Sequence, residues 1–210
     1  MVPRHPLARK PAPGLPDVWL FSDERAAAGI VELAAILPPG SGIVFRHDRL
    51  APGARWRMFR RLARIARTRK LLLLLAGHPA HAKRWNADGV HLRPPLASRA
   101  GAAHRLGLIV AMPVHDEREA RAARRAGVDA TFVSPLHPTR SHPGAPALGR
   151  GAWLRLARLA GAKAIALGGM TPPRVRALRR AGARNAGWAA IDSWDEKAVR
   201  RRQKRKAVPT

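Results

Sequence analysis

The chain has 210 residues, of which 46% are hydrophobic and none is Cys, and it carries a formal net charge of +27 at pH 7. This length and apolar content suit one domain with a sizeable core, and they exclude global disorder. The lack of Cys excludes disulfides, thiolate zinc sites, iron–sulfur clusters and cysteine nucleophiles, and it fits a cytoplasmic location.

The first 16 residues contain five Pro and predict a disordered arm ahead of a domain over 17–196. This arm lacks the apolar stretch of a secretory signal, and the longest apolar run of the chain, 71–75, is too short for a membrane span. We therefore expect no membrane contact. The predicted strands are 18–21, 42–46, 70–76, 89–92, 106–112, 130–134, 164–168 and 186–191. The helices predicted between them are 25–37, 54–67, 80–85, 96–104, 116–126, 151–159, 172–181 and 194–202.

Eight strands alternate with eight helices in this prediction, and several strands are apolar throughout, as in a parallel sheet covered on both faces. Such alternation allows an open, doubly wound sheet or a closed barrel. The first strand is not followed by G-x-G-x-x-G, which weakens the case for a dinucleotide-binding sheet. The predicted fold class is therefore α/β, a single-domain (β/α)8 TIM barrel.

The positive charge has two interpretations. Arginines attract polyanions through long-range potential and counterion release, but arginines at helical spacing also form ordinary solvated faces. For the body of the chain we favour a solvated face. The basic tail, 197–210, differs because 197–206 is a like-charge block that could contact RNA, DNA or anionic lipid, although no aromatic residue there offers a stacking platform.

Ligands of such barrels bind where the strands end, and six of the nine His follow predicted strands. Three roles remain open for them: general acid–base chemistry, metal binding, or neutral polar support. Metal binding is the weakest, because H-x-H and H-E-x-x-H are absent and few carboxylates follow the strands. These histidines are His47, His78, His91, His115, His137 and His142.

The turn after the seventh strand reads Gly168-Gly169-Met170-Thr171-Pro172. Two glycines let backbone approach an anion closely, and the following helix N-terminus adds N–H groups and a positive dipole end. Ser193, at the start of the last helix, could assist. We favour a phosphate site over an ordinary strand-to-helix turn.

These segments together resemble the thiamine phosphate synthase family, including its TenI-like thiazole tautomerases, over roughly residues 17–192. ADGVHL at 87–92 and SPLHPT at 134–139 are the most specific matches. The weaker ones are GIVFR at 42–46, His115, AGVD at 126–129, ALGGM at 166–170 and AGA at 181–183.

The resemblance implies a thiazole phosphate substrate for the whole family and magnesium for its synthases. This chain has Ala76-Gly77 in place of the family's Asn-Asp pair and Leu96 in place of a further Asp, and Asp48 replaces a Lys. Residues that retain the pattern are Arg46, His115, Thr139, Gly168 and Gly169. The tautomerases move a proton without magnesium and use the His after the fifth strand, where His115 falls.

We therefore expect a thiamine-biosynthesis protein of this family that acts on a thiazole phosphate, in a tautomerase-like rather than a synthase reaction. His115 is the predicted catalytic residue, and Gly168, Gly169 and Ser193 are predicted to bind phosphate. Arg46, Thr139, Ser141 and His137 are predicted to bind substrate. We expect no cofactor or metal, with magnesium only if synthase activity persists. The alternative is a non-catalytic barrel that binds a phosphate ligand, or a nucleic acid through its tail; the oligomeric state stays open.

Overall fold

Eight parallel strands close into one barrel, each hydrogen-bonded to its neighbours in chain order, with β1 pairing to both β2 and β8. This computed structural model describes residues 14–139 and 146–206, with the side chains of 202 and 204–206 left out. The strands are β1 Val18–Phe21, β2 Gly42–Phe45, β3 Leu72–Ala76, β4 Gly89–His91, β5 Ile109–Val114, β6 Ala130–Val133, β7 Lys163–Ala166 and β8 Gly187–Ala190. The predicted (β/α)8 barrel is confirmed.

A helix follows every strand and packs on the outside of the barrel. The helices are α1 Ile30–Ile36, α2 Pro52–Arg69, α3 Pro79–Arg84, α4 Ala100–Arg105, α5 Glu117–Ala126, α6 Gly149–Ala160, α7 Pro172–Arg180 and α8 Asp192–Lys206. A short 3-10 turn, Leu96–Arg99, precedes α4. None of the helices in the described ranges is long and apolar enough to cross a membrane.

Aromatic rings fill the inside of the barrel. Trp19 meets Phe132 edge to face at 5.3 Å between ring centroids, and Phe132 meets Phe21 in the same way at 4.7 Å. Gly42, on the neighbouring strand, leaves the room that the Trp19 indole occupies, since a Cβ there would collide with the ring. The interior is therefore a packed core, and ligands have access only at its ends.

A second core lies between the barrel and the helices. The apolar stripe predicted for α2 faces the barrel, with Phe59, Leu62 and Ala66 buried. Helix α5 begins as the sequence indicates: Asp116 accepts a hydrogen bond from the Glu119 amide, and Gly127 ends the helix in the left-handed conformation. Most arginines among the described residues are exposed.

Two predicted elements begin three or more residues before the observed ones. The first helix begins at Ile30 and not at Arg25, because Asp195 of α8 accepts hydrogen bonds from the amides of Ala27 and Ala28 and holds this stretch as a loop. The fifth strand begins at Ile109 and not at Leu106, since α4 runs to Arg105 and Gly107 turns the chain.

The structure describes little of the predicted N-terminal arm and most of the predicted C-terminal tail. Most of the predicted arm, residues 1–13, lies outside the described ranges. At the other end, 197–206 continue α8 as helix, and Ala198 is buried against the barrel. The part of the predicted tail up to 206 is therefore the end of the last barrel helix.

Candidate functional site

A cavity of about 450 Å³ opens at the carboxyl ends of the strands. Its lining comes from segments that follow β1, β2, β5, β6, β7 and β8. Six of the predicted site residues line it: Arg46, His115, Thr139, Gly168, Gly169 and Ser193. The barrel thus brings together residues that lie up to 147 positions apart in the sequence, from 46 to 193.

His115 follows β5 and is held by a carboxylate that the sequence analysis missed. The Oε2 atom of Glu119 lies 2.8 Å from His115 Nδ1 and also accepts a hydrogen bond from the His115 amide at 2.7 Å. Glu119 is in the first turn of α5, and the pair has the i,i+4 spacing that could have indicated it. The imidazole is half-exposed, and within the described part of the chain only its Nδ1 is hydrogen-bonded.

The turn after β7 is shaped by contact with the loop after β6. Gly168 and Gly169 both have positive φ, and a Cβ on Gly168 would lie 2.8 Å from Pro135. The carbonyl of Gly168 accepts a hydrogen bond from the His137 amide. These glycines are therefore required for backbone packing, and the same turn presents its backbone to the cavity.

The helix after this turn offers fewer donors than the sequence analysis assumed. Pro172 and Pro173 occupy its first two positions, so neither contributes an N–H group, and the first helical amide belongs to Arg174. The Arg174 guanidinium also lines the cavity and donates to the Gly169 carbonyl. Arg174 is thus a further cation at the predicted phosphate site, and it was missed because the sequence does not show which way it points.

Ser193 lies in the first turn of α8 and lines the cavity together with Asp192 and Glu196. Both carboxylates engage in interactions of their own. The positive charge of Arg174 and of the α7 dipole therefore acts beside two acids, whose charge would repel an anion on their side of the turn.

Arg46 follows β2 and lines the opposite part of the cavity. Its amide donates to Ser22 Oγ at 2.7 Å, its Nε donates to the Ser22 carbonyl, and its guanidinium lies over the Phe21 ring. Burial is the main cause that lowers the pKa of Arg46. Asp23 stands 3.4 Å from the guanidinium, and the hydrogen bond from Arg25 holds the pKa of Asp23 down at about 2.

The loop after β6 supplies the remaining predicted residues. Thr139 is half-buried and lines the cavity. His137 lies beside the glycine turn but is not among the lining residues, and burial, with a smaller effect of Arg174, lowers its pKa. Ser141 falls outside the described residues.

The other histidines that follow predicted strands make structural contacts or lie outside the described residues. His47 packs on Phe45 and contacts Ser22 Oγ at 2.9 Å, while His78 caps α3 by accepting from Ala80. His91 is buried in the barrel, and within the described part of the chain its Nδ1 has no hydrogen-bond partner. His142 lies outside the described residues. Of the five candidate histidines that the structure describes, only His115 lines the cavity.

The described residues do not fit magnesium. The ion prefers carboxylate and other hard oxygen ligands, yet the positions that the resemblance assigns to such ligands hold Ala76, Gly77 and Leu96. The nearby carboxylates of Asp23 and Asp48 each contact two guanidinium groups. Over residues 14–139 and 146–206, no group of three or more His, Asp or Glu is arranged to hold a metal ion.

Fold and cavity together define the class: a (β/α)8 barrel with a candidate ligand site at the carboxyl ends of its strands. The sequence model of thiamine monophosphate synthase matches residues 22–192. The chain belongs to this family.

Two curated relatives are consistent with this family. The thiamine-phosphate synthase of Geobacillus thermodenitrificans is 33% identical over 127 residues, which are 59% of this chain and 58% of that protein. The thiamine biosynthesis bifunctional protein ThiM/ThiE of Symbiobacterium thermophilum is 32% identical over 165 residues, 77% of this chain and 34% of that protein. The chain therefore matches between about one third and three fifths of the length of these relatives.

Among solved structures, the thiamine phosphate pyrophosphorylase of Pyrococcus furiosus superposes with a TM-score of 0.71 at 19% identity. The match covers 90% of this chain and 96% of that one. At this identity the likeness supports the shared barrel fold.

Proposed function

We propose that this protein moves a proton on a thiazole phosphate without a magnesium ion, as a tautomerase-like member of its family. The observation that carries the proposal is that His115, hydrogen-bonded to Glu119, and the Gly168–Gly169 turn border one cavity. Proton transfer needs a positioned base and an anchor for the substrate, and these two features supply both.

In the proposed reaction, Glu119 keeps a proton on His115 Nδ1, so that Nε2 carries the lone pair that accepts a proton from a ring carbon. The imidazolium that forms is stabilised by the same carboxylate at 2.8 Å. The proton then returns from Nε2 to a different atom of the ring, which leaves an isomer of the substrate and a neutral imidazole. The phosphate stays on the glycine side of the cavity, where Arg174 and the start of α7 provide positive charge.

A synthase reaction is a poorer fit for these residues. Departure of a diphosphate needs positive charge and a metal ion held by hard oxygen ligands, and the positions for those ligands hold Ala76, Gly77 and Leu96. Given both synthase substrates and Mg²⁺, the purified protein should release no thiamine phosphate; robust turnover would overturn the magnesium-free assignment.

The direct test measures deuterium uptake by a thiazole phosphate in D2O with EDTA present, followed by NMR. Replacing His115 with Ala should lower the exchange rate by about 10²- to 10⁴-fold, the usual contribution of a general acid–base group. Glu119→Gln should lower it by about 10-fold or more, because the neutral amide no longer favours the imidazolium. Arg118→Gln, on the same helix and exposed, is the matched control and should retain the parent rate.

The alternative, a barrel that binds polyanions, has one observation in its favour. After Glu196, α8 carries only basic or neutral residues up to 206, and Lys197, Arg200 and Arg201 are exposed. Deleting the tail from 197 would also remove buried Ala198, so the fair test replaces Arg200 and Arg201 with Gln. Salt-sensitive RNA retention that these changes reduce would favour this alternative, and unchanged retention would count against it.

A further inference from the structure

The outer face of helix α2 is strongly basic. Residues 49–115 contain fourteen Lys and Arg but a single acid, Asp88, whose carboxylate accepts a hydrogen bond from the Leu73 amide. Within this stretch, α2 carries seven arginines and neither Asp nor Glu. A solvated helix usually mixes charges of both signs, so the potential of this one is not cancelled by its own side chains and attracts anions from a distance.

Four of these arginines form a strip along the helix. Arg57, Arg60, Arg64 and Arg67 follow one another at spacings of three or four residues, so they share one side of α2, and all four are exposed. None of them pairs with a carboxylate within the described residues. At a rise of about 1.5 Å per residue, the strip is about 15 Å long. We call these four residues the α2 strip.

Two other arginines of the same helix are used inside the protein. Arg55 donates to the Ala76 carbonyl and pairs with Asp48, and Arg69 donates to the Leu37 carbonyl. The guanidinium groups of the α2 strip make no such bonds to the described residues, so the fold does not need them. Their N–H groups remain for a ligand, and arginine forks bind phosphate oxygens well.

Two tryptophans border the α2 strip. Trp56 of α2 and Trp85, which directly follows α3, are half-buried, and their ring centroids lie 5.1 Å apart. The Arg60 guanidinium lies over the Trp56 ring at 5.7 Å, so the pair adjoins the strip. Neither indole N–H has a hydrogen-bond partner among the described residues, whereas buried Trp19 and Trp153 donate to backbone carbonyls. Indole N–H groups usually have a partner, so these two are available to a ligand.

A strip of cations beside half-buried indoles fits a single-stranded nucleic acid. Phosphates lie about 3.4 Å apart along the axis of a stacked strand, so the strip spans about four of them. Unpaired bases can pack on aromatic rings, while a duplex keeps its bases in its own stack. The 2′-hydroxyl, which RNA has and DNA lacks, can accept a hydrogen bond from an indole N–H. An anionic membrane offers phosphates but no bases.

We propose that the α2 strip and the Trp56–Trp85 pair bind single-stranded RNA on the outside of the barrel. The arginines contact successive phosphates, and the indoles contact a base and a 2′-hydroxyl beside them. None of residues 52–85 lines the cavity, so this surface is separate from the site of the proposed function and does not depend on it. It also lies on a different helix from the basic end of α8.

The first test measures salt dependence. Fluorescence anisotropy follows a labelled 12-nucleotide oligouridine bound by the full-length protein at several salt concentrations. Replacing Arg57, Arg60 and Arg64 together with Gln should weaken binding and reduce the slope of log K against log salt by about 2, since each phosphate contact on a single strand contributes about 0.7. The matched control replaces three exposed arginines of α5 and α7, Arg125, Arg176 and Arg180, with Gln and should keep the parent slope. Both variants have the same net charge.

The second test separates bases from charge. Inorganic polyphosphate of equal charge has no base, so the parent protein should bind it more weakly than oligouridine. Trp56→Leu should weaken oligouridine binding by about 5-fold or more, the usual effect of a lost stacking ring, and should leave polyphosphate binding unchanged. Retained polyphosphate binding also shows that this variant is folded, and the comparison of the two probes on the parent needs no variant.

Several results would overturn the proposal. Equal slopes of the α2 strip variant and its control would mean that net charge alone accounts for binding. Tighter binding of polyphosphate, of oligodeoxyuridine, or of vesicles with equal parts of phosphatidylcholine and phosphatidylserine would exclude RNA as the preferred partner. RNA binding that Arg200→Gln with Arg201→Gln weakens, and that the α2 changes do not, would place the contact on α8. The readout involves no turnover, so a failed proton-transfer assay would leave this result standing.

Discussion

His91 is the most deeply placed ionisable group of the barrel mouth. It is 3% exposed, and its ring meets Phe21 and Phe132 edge to face. Burial is the first cause that lowers its pKa, from 6.5 to about 3. It is therefore neutral near pH 7, and its burial lowers the free energy of unfolding only in acid.

This gives a pH prediction with a definite sign. Above pH 6.5, His91 is neutral in both folded and unfolded chains; below it, the unfolded chain binds a proton that the folded protein refuses. The free energy of unfolding should therefore fall by at most about 1.4 kcal/mol per pH unit from pH 6.5 down to about 3. Urea unfolding of His91→Leu at pH 6 and 4.5 should show a shallower decline than the parent, and an identical decline would refute the assignment.

Single residues also show which parts of the site can be predicted from the sequence. His115 and the two glycines were predicted because their residue types and their places after strands indicate chemistry. Glu119 was overlooked although its i,i+4 spacing to His115 was visible. The ion pair between Arg93 and Asp48 could not be predicted in this way, because the two residues lie 45 positions apart in the chain and meet only when the barrel closes.

At the scale of elements, Gly42 makes room for the side chain of Trp19 where β1 and β2 pair. Gly42 of β2 pairs with Trp19 of β1, and the indole occupies the space where a side chain of residue 42 would be. Any larger residue at 42 has to displace a buried ring that also packs on Phe132.

Gly42→Ala should therefore lower the free energy of unfolding by about 1–3 kcal/mol through overpacking. Gly151→Ala is the matched control: its Cβ meets no atom within 4 Å, and it lies inside α6. That change should raise stability by about 0.5–1 kcal/mol, since Ala favours helix over Gly. Urea titrations that rank the two variants in the opposite order would contradict this account of β2.

The connection between α8 and the loop before α1 supplies a second prediction. Asp195 accepts two backbone hydrogen bonds there, at 3.1 Å from the Ala27 amide and 2.7 Å from the Ala28 amide. Asp195→Ala should cost about 1–3 kcal/mol of unfolding free energy because these amides lose a charged acceptor. Glu196→Ala is not a suitable control, since Glu196 lines the cavity, and Lys197 lies over the ring of buried Trp194. Arg200→Ala, exposed on the same helix, serves better. A Tm of Asp195→Ala that equals the Tm of the Arg200 variant would disprove this role.

The order and number of the elements could be predicted because each strand is a short apolar run and each helix has its own periodicity. The boundaries that failed depend on distant contacts. Nothing near residues 25–29 in the chain indicates that Asp195 will hold them as a loop. The N–H donors expected at the start of α7 were overcounted for a different, local reason, because Pro172 and Pro173 supply none.

At the scale of the whole molecule, barrel closure is what turns scattered residues into a site. Ring closure places the ends of β5, β7 and β8 around one cavity and brings Arg46, which follows β2, to the same cavity. The net charge of +27 acts at this scale as well, because it draws anionic ligands toward a mouth that is itself positive. Within this fold, positions 76, 77 and 96 carry no carboxylate, and the nearby carboxylates of Asp23 and Asp48 pair with guanidinium groups.

A crystal structure with a thiazole phosphate, grown in EDTA, tests this account most directly. We expect the phosphate on the glycine side of the cavity, beside Gly168, Gly169 and Arg174, and a ring carbon within about 3–3.5 Å of His115 Nε2, close enough for reaction. A phosphate bound on the Arg46 side, with the thiazole ring turned away from His115, would contradict it.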